Sequence, residues 1–232
     1  MGFAQIQVEL QEWMGSDRAI AESAWTSSTL QSAKSVKTDA DVARIVNMLA
    51  TERHRVPFES VVLRFWSSIP IFTDRQIMTH RWASHNGMSG RYRTMPLDYY
   101  YLPLPLNSIL ERSGVDLDLY DRVCREANNA YSSCISKLKE SKGSSLISEA
   151  EFKRARELVR GMLPQSNMTE RTTTINLRSF ANMVCQRTAE YAQPEIRHQV
   201  SLMKDTLIQK EVCPIACRAL EAIGWDLDGN KS

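Results

Sequence analysis

Apolar residues in the segment TDADVARIVNML recur with a helical period, placing Val42, Ile45, Val46 and Leu49 at i, i+3, i+4 and i+7 behind Thr38. That spacing predicts an amphipathic helix with Thr38 as its N-cap. The period then changes. In SVVLRFWS, Val61, Leu63 and Phe65 alternate with Val62, Arg64 and Trp66, and the β-branched and aromatic content predicts a strand. Pro70, with its fixed φ and missing N–H, suits the first turn of a short helix through Met78. That helix delivers His80 and Arg81 to a loop. From Trp82 to about Tyr101 the chain fits neither period, and Gly87, Gly90, Pro96 and Pro103 punctuate it. A loop of that length in a folded domain is usually functional or disordered.

Farther on, Tyr120, Val123, Ala127, Tyr131, Cys134 and Leu138 mark a long helix, and Phe152, Ala155, Val159 and Met162 mark another that Pro164 ends. MTERTTTI, residues 168–175, predicts a strand, followed by a helix from about Asn176 to Ala192. Pro194 separates it from a last helix carrying Ile196, Val200, Met203 and Leu207. No repeat occurs, and KESKGSS at 139–145 is the one linker-like stretch. The expectation is a single α+β domain over residues 1–232 with a helix-rich C-terminal half.

Charge narrows the function classes. Lys and Arg number 29 against 27 Asp and Glu, so no overall field invites nucleic acid or a membrane surface, and an anionic ligand must be met locally. Gln and Glu interrupt the opening MGFAQIQVELQEWMGSD, and no apolar run is long enough to span a bilayer. A cytoplasmic protein is expected. The 5 cysteines form no C-x-x-C pair, which fits reduced thiols. Cys213 and Cys217 share a helical face but lack further zinc ligands, so packing is the expected role.

The stretch THRWASHNGMSGRY, residues 79–92, holds two of the chain's 4 histidines and two of its 9 glycines, with two arginines and two serines. Glycine lets backbone N–H groups approach an anion, and Ser and Arg add donors suited to phosphate oxygens. Ser89-Gly90-Arg91 therefore reads either as a phosphate cradle or as a surface turn with a solvated arginine. Arg156 and Arg160 lie four apart, and Asn176 and Arg187 eleven apart, spacings that align polar groups along a cleft or an exposed helix face. No nucleophile elbow, zinc-protease helix, Walker loop or dinucleotide fingerprint is present. His80 and His85 lack nearby carboxylates for a metal, and a His80–Ser89 hydrolase lacks an orienting acid. The residues themselves point to an anionic-ligand site and go no further.

Thr79-His80-Arg81, seven residues, then Ser89 resembles the Arg-His-Arg-x7-Ser signature of the flavin-dependent thymidylate synthases. His54-x-x-Pro57-Phe58-Glu59, Arg75-Gln76, Ser89-Gly90-Arg91-Tyr92, Ala155-Arg156-Glu157, Asn176-Leu177-Arg178-Ser179 and Ala192-Gln193 match that family in order. The resemblance covers residues from about 14 to about 210.

It implies an α+β fold with a mixed or antiparallel sheet between long helices, and a homotetramer with shared active sites. It also implies bound FAD, with methylenetetrahydrofolate and NADPH as co-substrates, and C5 methylation of dUMP without a cysteine nucleophile. Gln76, Thr79, Gly87, Met88, Ser89, Gly90, Arg91 and Arg160 would then hold the nucleotide. Arg187 would face the pyrimidine and act in catalysis. Ser27, His54, Val56, Thr79, His80, Arg81, Asn176, Arg178 and Asn182 would serve FAD, and no metal is implied. Thr79 stands in place of the signature's first Arg, and Gly87 in place of a Glu that reaches the nucleotide. Trp25, Tyr191 and Pro194 stand where the family has Arg, His and Trp. The alternatives are a C5-methylase or hydroxymethylase acting on UMP or dCMP, and a non-catalytic nucleotide-binding relative.

Overall fold

Two strands that the periodicity does not announce begin the chain, β1 (Phe3–Ala4) and β2 (Gln7–Met14). Leu10 is the one fully buried position of β2, so the strand shows no apolar alternation, as its place at a sheet edge allows. Helix α1 (Asp17–Trp25) starts where the Ser16 hydroxyl accepts from Ala19 N, and a short α2 (Gln31–Lys34) follows. The expected helix at residue 38 is α3 (Asp39–Thr51). Thr38 accepts from Asp41 N at 3.3 Å while the Asp41 carboxylate accepts from Thr38 N at 3.0 Å, a reciprocal cap.

Strand β3 (Val62–Pro70) buries Leu63, Phe65, Ser67 and Ile69, the face its alternation selects. Pro70 closes this strand, and the short helix α4 begins one residue later (Ile71–Ile77). The stretch expected to be loop contains β4 (Ala83–Gly87) and β5 (Tyr99–Tyr100). Ala-Ser-His-Asn-Gly has weak strand propensity and no alternation. Its pairing comes from the neighbouring strand, which local pattern does not report.

Helices α5 (Leu106–Arg112), α6 (Leu117–Gly143) and α7 (Glu149–Val159) come next. Most of the linker-like KESKGSS belongs to α6, and Ser148 caps α7 with Glu151. Strand β6 (Met168–Asn176) leads into α8 (Leu177–Arg187), which ends five residues before the expected Ala192, and then α9 (Pro194–Gln209) with Pro194 in its first turn. The further helix α10 (Pro214–Ala222) completes the fold, its N-terminal Ile215 and Ala216 N–H groups donating to the buried Asp17 carboxylate.

The structure, a computed structural model, describes residues 3–80, 82–100 and 106–229, so Arg81 lies outside the described residues. Four strands form an antiparallel sheet in the order β2-β3-β6-β4, and β1 pairs in parallel with β5, giving the α+β class. Bonds beyond both ends of the β3–β6 pair, Leu177 N to Val61 O at 2.8 Å and Ile71 N to Asn167 O at 2.9 Å, show its antiparallel register.

The chain divides into two units, each discontinuous in sequence. One comprises Met1–Ile6, Ser68–Asp74 and Gly87–Glu170, and the other Gln7–Ser67, Arg75–Asn86 and Arg171–Ser232. In the larger unit Phe65 stacks on Phe180 at 5.4 Å, and Phe180 meets Trp225 edge-on at 5.9 Å, within a core that includes Leu63, Ile196 and Val200. In the smaller unit the buried Asn128 donates to Leu97 O and accepts from Asn167 Nδ2, both at 2.8 Å. Met95 N donates to Tyr131 Oη at 3.2 Å. These bonds fasten the irregular chain that follows Arg91. Among the described residues no helix is long and apolar enough to cross a membrane.

Candidate active site

The candidate residues gather in two places, one in each unit. In the smaller unit Met88 N donates to Glu170 O at 2.8 Å, holding the end of the signature stretch to β6. Ser89 begins a turn in which its Oγ accepts from Arg91 N at 3.3 Å. A Cβ placed on Gly90 would come within 3.2 Å of Arg160 Cδ and 3.1 Å of Met95 Sδ, so absence of a side chain is what lets Arg160 lie against this turn. Arg160 is exposed where α7 gives way to a short 3-10 turn. One helical turn earlier, Arg156 donates to the Arg91 carbonyl and lies over the Phe152 ring. Both members of the i, i+4 arginine pair therefore lie against the Ser-Gly-Arg turn. Arg91, exposed, is bound to a carboxylate: its Nε donates to Glu157 Oε1 at 2.7 Å.

Gly87 ends β4, and its backbone is not among the left-handed glycines. The loop does not demand glycine there for conformation.

In the larger unit Arg187 is the last residue of α8, where a cation also favours the helix dipole. Its Nε donates to His80 Nε2 at 3.0 Å and its Nη2 to Thr79 Oγ1 at 3.0 Å. The Thr79 hydroxyl spends its own proton on Gln76 O at 2.7 Å, so it can only accept from Arg187. Burial, the Arg187 charge and His85 together push the His80 pKa down to about 4. At neutral pH His80 is uncharged, with Nε2 accepting and Nδ1 carrying the proton. No carboxylate pairs with Arg187 among the described residues.

Gln76 Nε2 donates to Gln193 Oε1, and Gln193 Nε2 donates to the buried Glu195 at 2.9 Å. A carboxylate only accepts, so this chain fixes which way the Gln76 amide points.

Thr79, His80, Trp82, Ser179, Asn182 and Gln186 line a cleft of about 230 Å³. Sequence reasoning found Thr79, His80 and Asn182 but missed the other three. Ser179, Asn182 and Gln186 lie at i, i+3 and i+7 of α8, a polar stripe that the helical period could have revealed.

Asn176 is the N-cap of α8, its oxygen accepting from Ser179 N at 2.8 Å, so that oxygen is committed. Arg178 pairs with Glu59 on the 3-10 turn Val56–Ser60. Val56 is exposed on that same turn. Ser27 donates to Ala24 O after α1, and His54 is exposed after α3. None of Ser27, His54 or Val56 lines the cleft.

A sequence model of the family described as "Thymidylate synthase complementing protein" matches residues 9–215. The flavin-dependent thymidylate synthase of Treponema denticola is 31% identical over 215 residues, 92% of this chain and 78% of that protein. The chain belongs to the flavin-dependent thymidylate synthase family. A member from Thermus thermophilus is 33% identical over 92% of this chain and 75% of its own. A crystal structure described as the UMP/dUMP methylase PolB from Streptomyces cacaoi bound with 5-Br dUMP has a TM-score of 0.73 and 26% identity, covering 96% of this chain and 97% of that one.

As a member of this family the protein is a methyltransferase. The cleft residues suit a flavin. Hydroxyl and amide groups of Ser179, Asn182 and Gln186 match the polar edge of a ring system, and the Trp82 indole, 81% exposed, offers a face for stacking. Burial and the Asp17 carboxylate push both the Cys213 and the Cys217 thiols up to about 12, which makes them poor nucleophiles and fits their packing role.

Proposed function

We propose that the protein methylates C5 of a pyrimidine nucleoside monophosphate, dUMP first, with bound FAD, methylenetetrahydrofolate as carbon donor and NADPH as reductant. The observation that carries the reading is the Arg187 guanidinium, held by two neutral acceptors and left uncompensated. Fixed positive charge beside the pyrimidine stabilises the ring ionised at N3 and raises electron density at C5, where the new carbon bond forms. Ser89, Gly90, Arg91 and Arg160 would take the phosphate, with Met88 and Gln76 placed along the nucleotide. Thr79, His80, Arg81, Asn176, Arg178 and Asn182 would hold FAD, with Ser27, His54 and Val56 contributing. Arg178 near the N-terminus of α8 suits the diphosphate. When bound, the flavin supplies the two reducing equivalents that bring the transferred carbon to a methyl group.

A homotetramer with active sites drawn from several subunits fits the size of the cleft. About 230 Å³ falls below the roughly 300–1,000 Å³ of complete ligand sites, so a second copy would complete it. Incubating reduced protein with methylenetetrahydrofolate and a panel of monophosphates, with product mass as readout, tests the reading. No mass gain on any pyrimidine nucleotide sinks it.

UMP is favoured as a second substrate by Gly87, where the resemblance expects a glutamate, and the PolB neighbour's name pairs both sugars. Rejecting one hydroxyl by fit alone is worth about 1–3 kcal/mol. We expect kcat/KM for UMP and dUMP to lie within roughly a hundredfold, and Gly87→Glu to widen the gap in favour of dUMP. Strict deoxy-selectivity in the native protein would refute this part.

A further inference from the structure

We infer that Thr79 is a positioning residue for Arg187, fixing the guanidinium plane together with His80 while leaving its charge undiminished. Two of the guanidinium's N–H groups are fixed, Nε to His80 and Nη2 to Thr79, each at 3.0 Å. One acceptor alone would leave the planar group free to swing about that bond, whereas two from adjacent residues define its plane. Thr79 is itself held at 2.7 Å by Gln76 O, the carbonyl of a residue in α4. Nη1 remains for a ligand. The family signature has arginine at position 79. A guanidinium there would put like charge beside Arg187 and could only donate, so this pose depends on the neutral hydroxyl.

The proposal rests on the reading that Arg187 faces the nucleotide, and its test separates the two. His80 reports on Arg187 without any ligand. Burial is the largest cause of its lowered pKa, and the titratable and charged groups that add to it are Arg187 and then His85. Losing the Thr79 contact should free Arg187 to move away and let the His80 titration rise.

The experiment follows the His80 ring by NMR against pH in the full-length native protein and in Thr79→Val, Thr79→Ala, Thr79→Ser and Arg187→Gln. Thr79 is exposed, and its replacement by Ala or Val leaves the core untouched. In Val and Ala the His80 midpoint should move up from about 4 toward that of Arg187→Gln, with Ser restoring the native curve. In turnover assays Val and Ala should lower kcat roughly ten- to a hundredfold with KM changed less than about threefold, as expected for losing one bond to a charged group. Ser should recover most of it. Unchanged His80 titration in both Val and Ala overturns the positioning role, whatever happens to kcat, and so does failure of Ser to rescue. If the titration moves but kcat is native in Thr79→Val and Arg187→Gln alike, positioning stands and the catalytic reading of Arg187 falls.

Discussion

Arg91 in one unit and Arg187 in the other are both proposed to meet nucleotide, and the protein holds them in opposite ways. Arg91 sits in an exposed turn with its charge matched by Glu157, which a bound phosphate would have to displace. Arg187 is held by a neutral histidine and a hydroxyl, and keeps its full charge. The first arrangement suits capture: the ion pair keeps the cation in place until a stronger anion arrives, and the exchange costs little because exposed pairs are weak. The second would suit chemistry, since a charge with no counter-ion beside it acts more strongly on the electrons of a bound ring. On the proposed reading, partner identity, more than the presence of arginine, separates the binding role from the catalytic one.

Replacing Arg187 with Ala should break this contrast most severely. We expect kcat to drop by roughly a hundred- to a thousandfold with KM little changed, the scale seen when a preorganised electrostatic donor is removed. A near-native kcat would show that its charge is idle. Arg160→Ala should give the converse, raising the apparent nucleotide Kd by roughly ten- to a hundredfold while kcat at saturation holds. Equilibrium binding and saturation kinetics distinguish the two.

The acid side tests His80. Its folded pKa, about 4, lies below the ordinary histidine value of 6.5. As pH falls through that window the unfolded chain takes up the proton first, so stability is full above about 6.5 and declines toward 4. Thermal unfolding across this range should show a loss that His80→Gln reduces. An identical pH dependence in the two proteins would mean that His80 is not held neutral. The smallest effect belongs to Glu157→Gln, which frees Arg91. Nucleotide affinity should tighten about two- to fivefold, with the gain fading at high salt. Weaker binding would mean that Glu157 orients Arg91 and does not compete for it.

Elements with strong local patterns were legible in the sequence. The apolar spacing of α3, the alternation of β3 and the threonine-rich β6 each report a buried face, and Thr38 and Pro194 mark helix starts where they are found. The spacing of α6 announced a helix but not its face: of the residues it picked out only Tyr131 is buried, beside Cys124, Asn128 and Ile135. Edge strands β2 and β4 were not legible, because one buries a single residue fully and the other none. At the candidate site, residue types and the family signature pointed to the Ser89–Arg91 turn, Arg160, His80 and Arg187. Glu157, Gln193 and Glu195 were invisible as partners, since each contact joins residues distant in sequence or depends on side-chain direction. Thr79 was legible as a departure from the family, but its acceptor role emerged only from its bond to Arg187.

His80 and Arg187 are 107 positions apart, and the β3 and β6 strands that precede them pair across a comparable span. A growing chain carries the complete signature stretch long before α8 exists, so the histidine must wait without its arginine. Loop closure over that distance is an entropic cost met before any contact rewards it. Helices α3 and α7, each with a reciprocal cap within four residues, can form early. The charge centre of Arg187, His80 and Thr79 belongs among the last features to assemble, so during refolding catalytic competence should lag behind the recovery of helical signal.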